Sequence, residues 1–220
     1  KSYDAVVKSQ DKDAYAKLYP GDPKNPKSVL RRPRLDVPAG TFVLSRTLLF
    51  GPGSGGMMGA GPEETVLKFS GDIPAIKQFN PCGFYNFAVE GGRTGIEITG
   101  DEHHAAEVML RKSYVAGDNY YNITFRNQAF AGMHIGTGDP AVMGGAEHDQ
   151  NKYVNLRFLN TGDYGIYMNN GMLDKWLCLN GEFVGQKRAG VSINFNNLIH
   201  GGLYNCSFRD ISGPGLDFMG

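Results

Sequence analysis

Apolar and polar positions recur in a fixed phrase along the second half of the chain. An asparagine is followed three residues later by phenylalanine and, seven residues after that, by glycine. An apolar residue, one other residue and a second apolar residue come directly after the glycine. The asparagines of the clean copies are Asn122, Asn155, Asn180 and Asn205, and their glycines are Gly132, Gly165, Gly190 and Gly215. The glycines are spaced by 33, 25 and 25 residues, and repetition at such a period is typical of a stacked solenoid.

The alternation within each copy predicts a β-strand with one buried face and one outward face. Residues two positions apart on a strand point to the same side, so the apolar pair enters the core and the residue between them points outward. A looser fifth copy, Asn86 with Gly95-Ile96-Glu97-Ile98, precedes the others. The five outward residues are predicted to face solvent and to stack about 4.8 Å apart. We name them the outward ladder: Glu97, His134, Tyr167, Ser192 and Asp217.

The recurrent asparagine suits a tight corner between strands. Its short amide tolerates left-handed backbone angles and hydrogen-bonds neighbouring backbone groups. Asparagines at equivalent corners of successive coils are also placed to bond to one another along the axis. The repeat therefore predicts both the strands and the corners that join them.

Composition agrees with one turn-dense, all-β domain. The 220 residues include 31 glycines without low-complexity runs, and this length allows one domain with a sizeable core. Lys and Arg total 22, as do Asp and Glu, so the formal net charge is zero. A neutral chain has no global field to recruit nucleic acid or an anionic membrane, and no stretch is long and apolar enough to cross a membrane. We therefore predict no nucleic-acid or membrane partner and leave the oligomeric state open.

The two ends of the sequence carry different signals. Residues 9–19 have the pattern of a short helix that would cover the open end of a solenoid, and a loop rich in Pro, Lys and Arg follows, so residues 1–34 are assigned as cap and loop. The solenoid is assigned to residues 35–220. Gly220 directly follows a repeat strand without a capping element, which predicts that further coils follow it. Lys1 in place of Met fits a processed chain, and we expect a secreted or periplasmic location.

The three cysteines are too few and too scattered for a disulfide framework or a zinc site. Cys178 lies five residues before its repeat phenylalanine, and Cys206 lies two residues before its own. They occupy different coil positions, so no disulfide between them is predicted. Their predicted role is that of small buried hydrophobic side chains.

The first strands carry a more specific resemblance. Pro38-Ala39-Gly40-Thr41-Phe42 is followed by Gly59-Ala60-Gly61 and Thr65-Val66-Leu67. This series resembles the opening coil of the pectate-lyase-like superfamily, whose members are right-handed, single-stranded parallel β-helices, and with the later coils the resemblance covers roughly residues 35–220. It implies an all-β parallel β-helix. The superfamily includes polysaccharide lyases, glycoside hydrolases, uronate epimerases and phage tailspikes, so the fold implies no single chemistry.

Lyase or epimerase action on a uronate is the first chemistry that the resemblance suggests. A lyase needs a base that removes the proton at C5, an acid for the leaving oxygen, and a cation or amide that stabilises the enolate. His134 and Tyr167 lie on adjacent coils of the sheet that resembles the superfamily's active-site sheet, and they are the candidate base and acid. Lys187 and Arg188, just before the next strand, are candidates to neutralise the substrate carboxylate. The open alternative is that His134 and Tyr167 are ordinary surface residues.

Hydrolysis is the second chemistry, and it needs two carboxyl groups about 5–9 Å apart. Asp163 is the best single candidate, because its surroundings at residues 160–166 are similar to the Asn-Thr-Asp-Gly-Ile strand entry of polygalacturonase-type hydrolases. An inserted glycine and tyrosine depart from that pattern, and the paired aspartates expected one coil later are absent. Asp163 is also a good turn former. Glu97 and Asp217 are assigned to substrate binding, at opposite ends of the ladder and too distant to cooperate directly.

Two insertions, residues 99–118 and 136–151, follow ladder strands and are predicted to form the walls of a groove. The second carries Glu147 and His148, which we also assign to substrate binding. No metal site is predicted, and solvated loop charges are the expected role of these residues. Calcium bound by Asp139, Glu147 and Asp149 is left as an alternative.

These observations predict a carbohydrate-active enzyme that cleaves or modifies a polysaccharide in that groove. Lyase or epimerase chemistry on a uronate-containing glycan stands ahead of glycoside hydrolysis. The alternative from another class is a glycan-binding module, tailspike-like or structural, without turnover. The sequence does not name the sugar.

Overall fold

The computed structural model describes several stretches of the chain, and within them it contains twenty-two β-strands and no helix. The described residues are 34–50, 54–78, 82–98, 114–116, 118–136, 147–149, 151–169, 172–194, 197–198 and 200–218. The predicted cap helix at residues 9–19 lies outside them. The strands pair in parallel, each with the equivalent strands of the neighbouring coils. The chain is therefore an all-β parallel β-helix, as the repeat and the resemblance predict.

In the described stretches, three sheets run along the solenoid. The first sheet contains β1 (Leu35–Asp36), β2 (Gly40–Leu44), β4 (Gly56–Met58), β5 (Thr65–Phe69), β7 (Gly83–Gly91), β10 (Asn119–Arg126), β13 (Lys152–Leu159), β16 (Trp176–Leu179), β17 (Glu182–Val184), β20 (Gly201–Tyr204) and β21 (Ser207–Arg209). The second contains β3 (Leu48–Phe50), β6 (Pro74–Gln78), β8 (Thr94–Ile98), β11 (Ala131–Ile135), β14 (Tyr164–Asn169), β18 (Ala189–Asn194) and β22 (Leu216–Phe218). The third contains β9 (Tyr114–Ala116), β12 (Glu147–Asp149), β15 (Met172–Asp174) and β19 (Asn197–Leu198).

A column of phenylalanine rings runs through the core. Centroids of Phe125 and Phe158 are 5.1 Å apart, and those of Phe158 and Phe183 and of Phe183 and Phe208 are each 4.8 Å apart. The rings are nearly parallel, with interplanar angles of 8–11°. These spacings are close to the distance between hydrogen-bonded strands. One phenylalanine per coil thus fills the same place in these four coils, and Val89 takes that place in the coil before them.

The repeat glycines make room for this column. A Cβ atom on Gly132 would lie 2.4 Å from the ring of Phe158, and one on Gly165 would lie 2.4 Å from the ring of Phe183. On Gly190 it would lie 2.5 Å from the ring of the next repeat phenylalanine. Each glycine is therefore required by the ring of the following coil, which explains why both residues recur together.

The repeat asparagines form the corners, as predicted. All five have positive φ angles of 51–59°, in the left-handed region. The side-chain amide of Asn205 donates to Asn180 Oδ1 at 2.8 Å, and that of Asn180 donates to Asn155 Oδ1 at 2.9 Å. A further amide bond of 3.0 Å joins Asn122 to Asn86. Backbone geometry and side-chain bonding both account for asparagine at this position.

The third sheet departs from the sequence-based expectation of loops. Both predicted insertions contain a strand, β9 in the first and β12 in the second, and these two strands pair with each other. β12 also pairs with β15. These strands are only three residues long, and they lack the glycine and alternating pattern that mark the second sheet. The strand β4 is equally short and was also not predicted from the sequence.

Two cysteines also lie closer together than their coil positions predict. The sulfur atoms of Cys178 and Cys206 are 3.9 Å apart. The register places Leu203 opposite Cys178, and the corner at Asn205 then brings the next residue back toward it. The side chains therefore meet across neighbouring coils although their backbone positions differ.

Replacing Gly165 with alanine tests the fit between ring and glycine. The new Cβ would lie 2.4 Å from the Phe183 ring and 2.6 Å from the carbonyl oxygen of Gly190, so a side-chain movement alone does not relieve the clash. We expect the free energy of unfolding, measured in urea, to fall by about 1–3 kcal/mol. Gly61→Ala is the control, because its nearest contact would be an ordinary 3.6 Å. Equal effects of the two substitutions would contradict this account.

Candidate functional site

The outward face of the second sheet carries the ladder in the predicted order. The register pairs Glu97 with His134, His134 with Tyr167, Tyr167 with Ser192, and Ser192 with Asp217. Lys77 precedes them, paired with Glu97. The repeat pattern does not single out Lys77 because β6 lacks the glycine of the repeat, although the alternation in Ala75-Ile76-Lys77-Gln78 is visible.

Part of the ladder is covered, which corrects the expectation that all five residues face solvent. Glu97 is 8% exposed and Ser192 is fully buried. Lys77 Nζ lies 3.3 Å from Glu97 Oε1, while the Ser192 hydroxyl lies 3.5 Å from Asp217 Oδ2. Neighbouring rungs thus shield the shorter side chains between them. The carboxylate of Glu97 is held in an ion pair with Lys77. Asp217 lies four coils further along the sheet, about 19 Å from Glu97, so the two carboxylates are too far apart to act on one bond.

His134 lies in the middle of the ladder with both ring nitrogens directed into the protein. Its Nε2–H donates to Asn169 Oδ1 at 2.7 Å. Its Nδ1 is buried and has no hydrogen-bond partner among the described residues, with Glu97 Oε2 at 4.0 Å. Burial lowers the pKa of His134 below its ordinary 6.5, whereas the bond to Asn169 and the Glu97 carboxylate oppose the shift. The imidazole is therefore held neutral near pH 7.

An aromatic cluster surrounds this histidine. The ring centroid of Phe130 lies 5.7 Å from that of His134, 5.6 Å from that of Tyr164 and 5.4 Å from that of Tyr167, always edge to face. Tyr164 and Tyr167 stack at 4.7 Å, and His134 lies 5.3 Å from Tyr167. Phe130 and Tyr167 remain partly exposed. The cluster thus presents an aromatic surface at the centre of the sheet.

Cations flank the cluster on the turn that enters each ladder strand. Backbone hydrogen bonds join Arg93, Phe130, Asp163 and Arg188 as successive rungs, 2.8–3.0 Å from nitrogen to oxygen. The guanidinium of Arg93 lies 5.7 Å from the Phe130 ring centroid, and that of Arg188 lies 5.5 Å from the Tyr164 centroid. Both arginines are exposed. Arg188 lies three coils further along the solenoid than Arg93, a distance of about 14 Å.

The remaining predicted site residues lie either in the turns before β14 and β18 or in the third sheet. Lys187 and Arg188 are exposed immediately before β18, where the sequence analysis placed them. Asp163 lies in the turn before β14, and its rung neighbours are Phe130 and Arg188, so no carboxylate faces it at the equivalent position of either adjacent coil. This arrangement agrees with the missing aspartate pair.

Glu147 and His148 lie in β12 of the third sheet instead of a loop, opposite Met172 and Leu173 of β15. Their side chains lie outside the described residues, as does Asp139 of the calcium alternative. Among the side chains that the structure describes, no group of three metal-ligating residues is found. No helix in the described stretches has the length and apolar character to span a membrane.

The fold and the ladder define a parallel β-helix protein with an aromatic and cationic outer face. No protein-family model matches the chain, and no curated protein matches it. A solved structure that does resemble it is the pre-mature bacteriophage phi29 gene product 12, with a TM-score of 0.51 and 16% sequence identity. The alignment covers 84% of this chain and 30% of that one. At this identity the similarity shows a shared fold alone.

The buried, neutral state of His134 predicts a pH dependence of stability. Its pKa is lower in the folded protein than the ordinary 6.5, so the unfolded chain binds the extra proton first as pH falls. The contribution of the neutral imidazole to the free energy of unfolding is complete above the pKa of His134 in the unfolded chain. It decreases as the pH falls from that value to the lower pKa in the folded protein. Urea unfolding of the protein and of His134→Gln, from about pH 8 to about pH 5, should show a steeper loss for the parent chain. Parallel pH profiles would contradict the burial of a neutral imidazole.

Proposed function

We propose that this chain recognises an acidic polysaccharide along the outward ladder. The observation that carries the proposal is the aromatic cluster with an exposed arginine against each of two rings, Arg93 at Phe130 and Arg188 at Tyr164. An aromatic surface suits the apolar C–H face of a sugar ring, because the contact removes apolar area from water. The guanidinium fork suits a carboxylate, which it binds through two parallel hydrogen bonds.

The spacing of the cations favours a chain ligand over a single sugar. Arg93 and Arg188 lie about 14 Å apart along the solenoid, and Lys187 adds a third exposed cation beside Arg188. The chain has no net charge, so attraction of an anionic ligand comes from this local group. The resemblance of the first coil to the pectate-lyase-like superfamily supports a polysaccharide ligand, and a secreted or periplasmic location is consistent with one.

Turnover by a lyase or epimerase mechanism is the second candidate, favoured by the neutral His134 beside Tyr167. In elimination, a base removes the C5 proton of the uronate, an acid protonates the departing O4 oxygen, and a C4–C5 double bond forms. Neutral imidazole is the form that accepts a proton. Here Nδ1 is buried and Nε2 is bonded to Asn169, so the proposal requires His134 to rotate on binding. Tyr167 needs no such movement because it is partly exposed.

Binding is tested with matched arginine substitutions. Isothermal titration with uronate-containing and neutral polysaccharides should show affinity for the acidic chains, and it should weaken with added salt. We expect Arg93→Ala and Arg188→Ala each to raise Kd about tenfold or more, the value of one bond between charged groups. Arg209→Ala is the control, because it removes the same charge from β21 of the first sheet, where Arg209 pairs with Glu182. Equal effects of all three would overturn the proposed site.

Turnover is tested on the same polysaccharides by ultraviolet absorbance and by reducing ends. An unsaturated product would establish elimination, and Tyr167→Phe should then abolish it while retaining binding, because the phenol alone is lost. Reducing ends without absorbance would establish hydrolysis and direct attention to Asp163. Binding without either signal would exclude chain cleavage, and an unchanged C5 configuration in the proton NMR spectrum of the polysaccharide would then exclude an epimerase and leave a glycan-binding module. Full elimination activity in Tyr167→Phe would remove that hydroxyl from the mechanism.

A further inference from the structure

Two thiols from neighbouring coils meet inside the first sheet. Cys178 lies in β16 and is fully buried, and Cys206 lies between β20 and β21 and is partly exposed. Their sulfur atoms are 3.9 Å apart, although 28 residues separate them in sequence. Both are reduced in this structure. The contact is independent of the proposed glycan site, which lies on the second sheet.

A glycine leaves the space in which the sulfurs approach. A Cβ on Gly181 would lie 3.1 Å from Cys178 Sγ and 3.2 Å from Cys206 Sγ. The same residue donates its backbone N–H to Cys206 Sγ at 3.4 Å. Gly181 therefore both opens the site and polarises one of its two thiols.

The two thiols have different reactivities. The pKa of Cys206 is lowered, chiefly through its side-chain hydrogen bond with Cys178 and also through backbone bonds that include the Gly181 N–H. The pKa of Cys178 is raised by the same hydrogen bond and by burial. Thiolate is the nucleophilic form of cysteine. Cys206 is the partly exposed thiol that an external disulfide can reach, so it is the attacking residue, and the buried Cys178 is the partner that completes the reaction.

We propose that Cys178 and Cys206 form a reversible disulfide that ties two adjacent coils when the protein meets a low-molecular-weight disulfide. The Cys206 thiolate attacks one sulfur of that oxidant, so its S–S bond breaks and one thiolate leaves. Cys178 then gives its proton to solvent and attacks the Cys206 sulfur, which releases the second thiol. Two protein thiols are oxidised and one external disulfide is reduced to two thiols. The sulfurs must approach to about 2.05 Å, which requires rotation of both side chains.

The bond would stabilise the stack of coils. It closes a loop across the 28-residue separation, and such a closure removes conformational freedom from the unfolded chain. For a domain of this size we expect the midpoint of thermal unfolding to rise by about 10 °C. Reduction should reverse the change, so the stability of this pair of coils would follow the redox state of the surroundings.

Oxidised glutathione is the probe for the test, applied to the whole chain. We expect the intact mass to fall by that of two hydrogen atoms, peptide mapping to join Cys178 to Cys206, and the thermal midpoint to rise and then return with dithiothreitol. Cys82→Ser is the matched control and should behave as the parent does, because the Cys82 thiol lies in another coil, 3.7 Å from the Ser54 carbonyl oxygen.

Cys178→Ser and Cys206→Ser test the pair separately. Neither variant should gain thermal stability from oxidised glutathione, and Cys178→Ser should retain glutathione on Cys206 as a mixed disulfide. Three outcomes would overturn the proposal. These are a parent chain that stops at the mixed disulfide, one that links Cys206 of two copies, and one in which the mapped bond leaves the thermal midpoint unchanged.

Discussion

The structure depends on one packing constraint, the fit of a phenylalanine ring into the space beside a glycine of the neighbouring coil. Gly165 shows the tolerance, since a single added carbon would lie 2.4 Å from the Phe183 ring. The rings stack at 4.8–5.1 Å, so the side-chain column and the backbone ladder share one spacing. A coil displaced by one residue would break this fit and would also exchange its buried and outward faces. Strand register and the composition of the outer face therefore have the same physical origin.

The sequence predicted the parts of the fold that this constraint repeats. Phenylalanine, glycine and asparagine recur at equivalent positions, and from them the strands, the left-handed corners and the order from Glu97 to Asp217 follow. The third sheet was missed because its strands of two or three residues carry neither the repeat glycine nor an alternation long enough to be seen in the sequence. The contact between Cys178 and Cys206 was missed because a corner, and not strand alternation, brings their side chains together.

The exposure of side chains on the outer face was harder to predict than the direction in which they point. The alternation of apolar and polar residues predicts that Glu97 and Ser192 point away from the core, but it does not predict which side chains lie beside them. Lys77 closes over one side of Glu97, and the buried hydroxyl of Ser192 lies against Asp217.

The aromatic cluster also depends on contacts between coils. Phe130 and Tyr164 belong to the turns and strand entries, outside the ladder positions, and only the stacking of coils brings them against His134 and Tyr167. The proposed site is therefore a property of several coils together.

The two coils between Gly165 and Gly215 have the same length of 25 residues. Their register is continuous, with Tyr167 opposite Ser192 and Ser192 opposite Asp217. Gain or loss of one such unit in a gene would join each corner, ring and glycine to its equivalent, so every remaining side chain would keep its face. Only the number of outward residues would change, by one for each unit. The scaffold thus allows the length and chemistry of its outer surface to evolve in whole coils while the interior keeps a single packing rule.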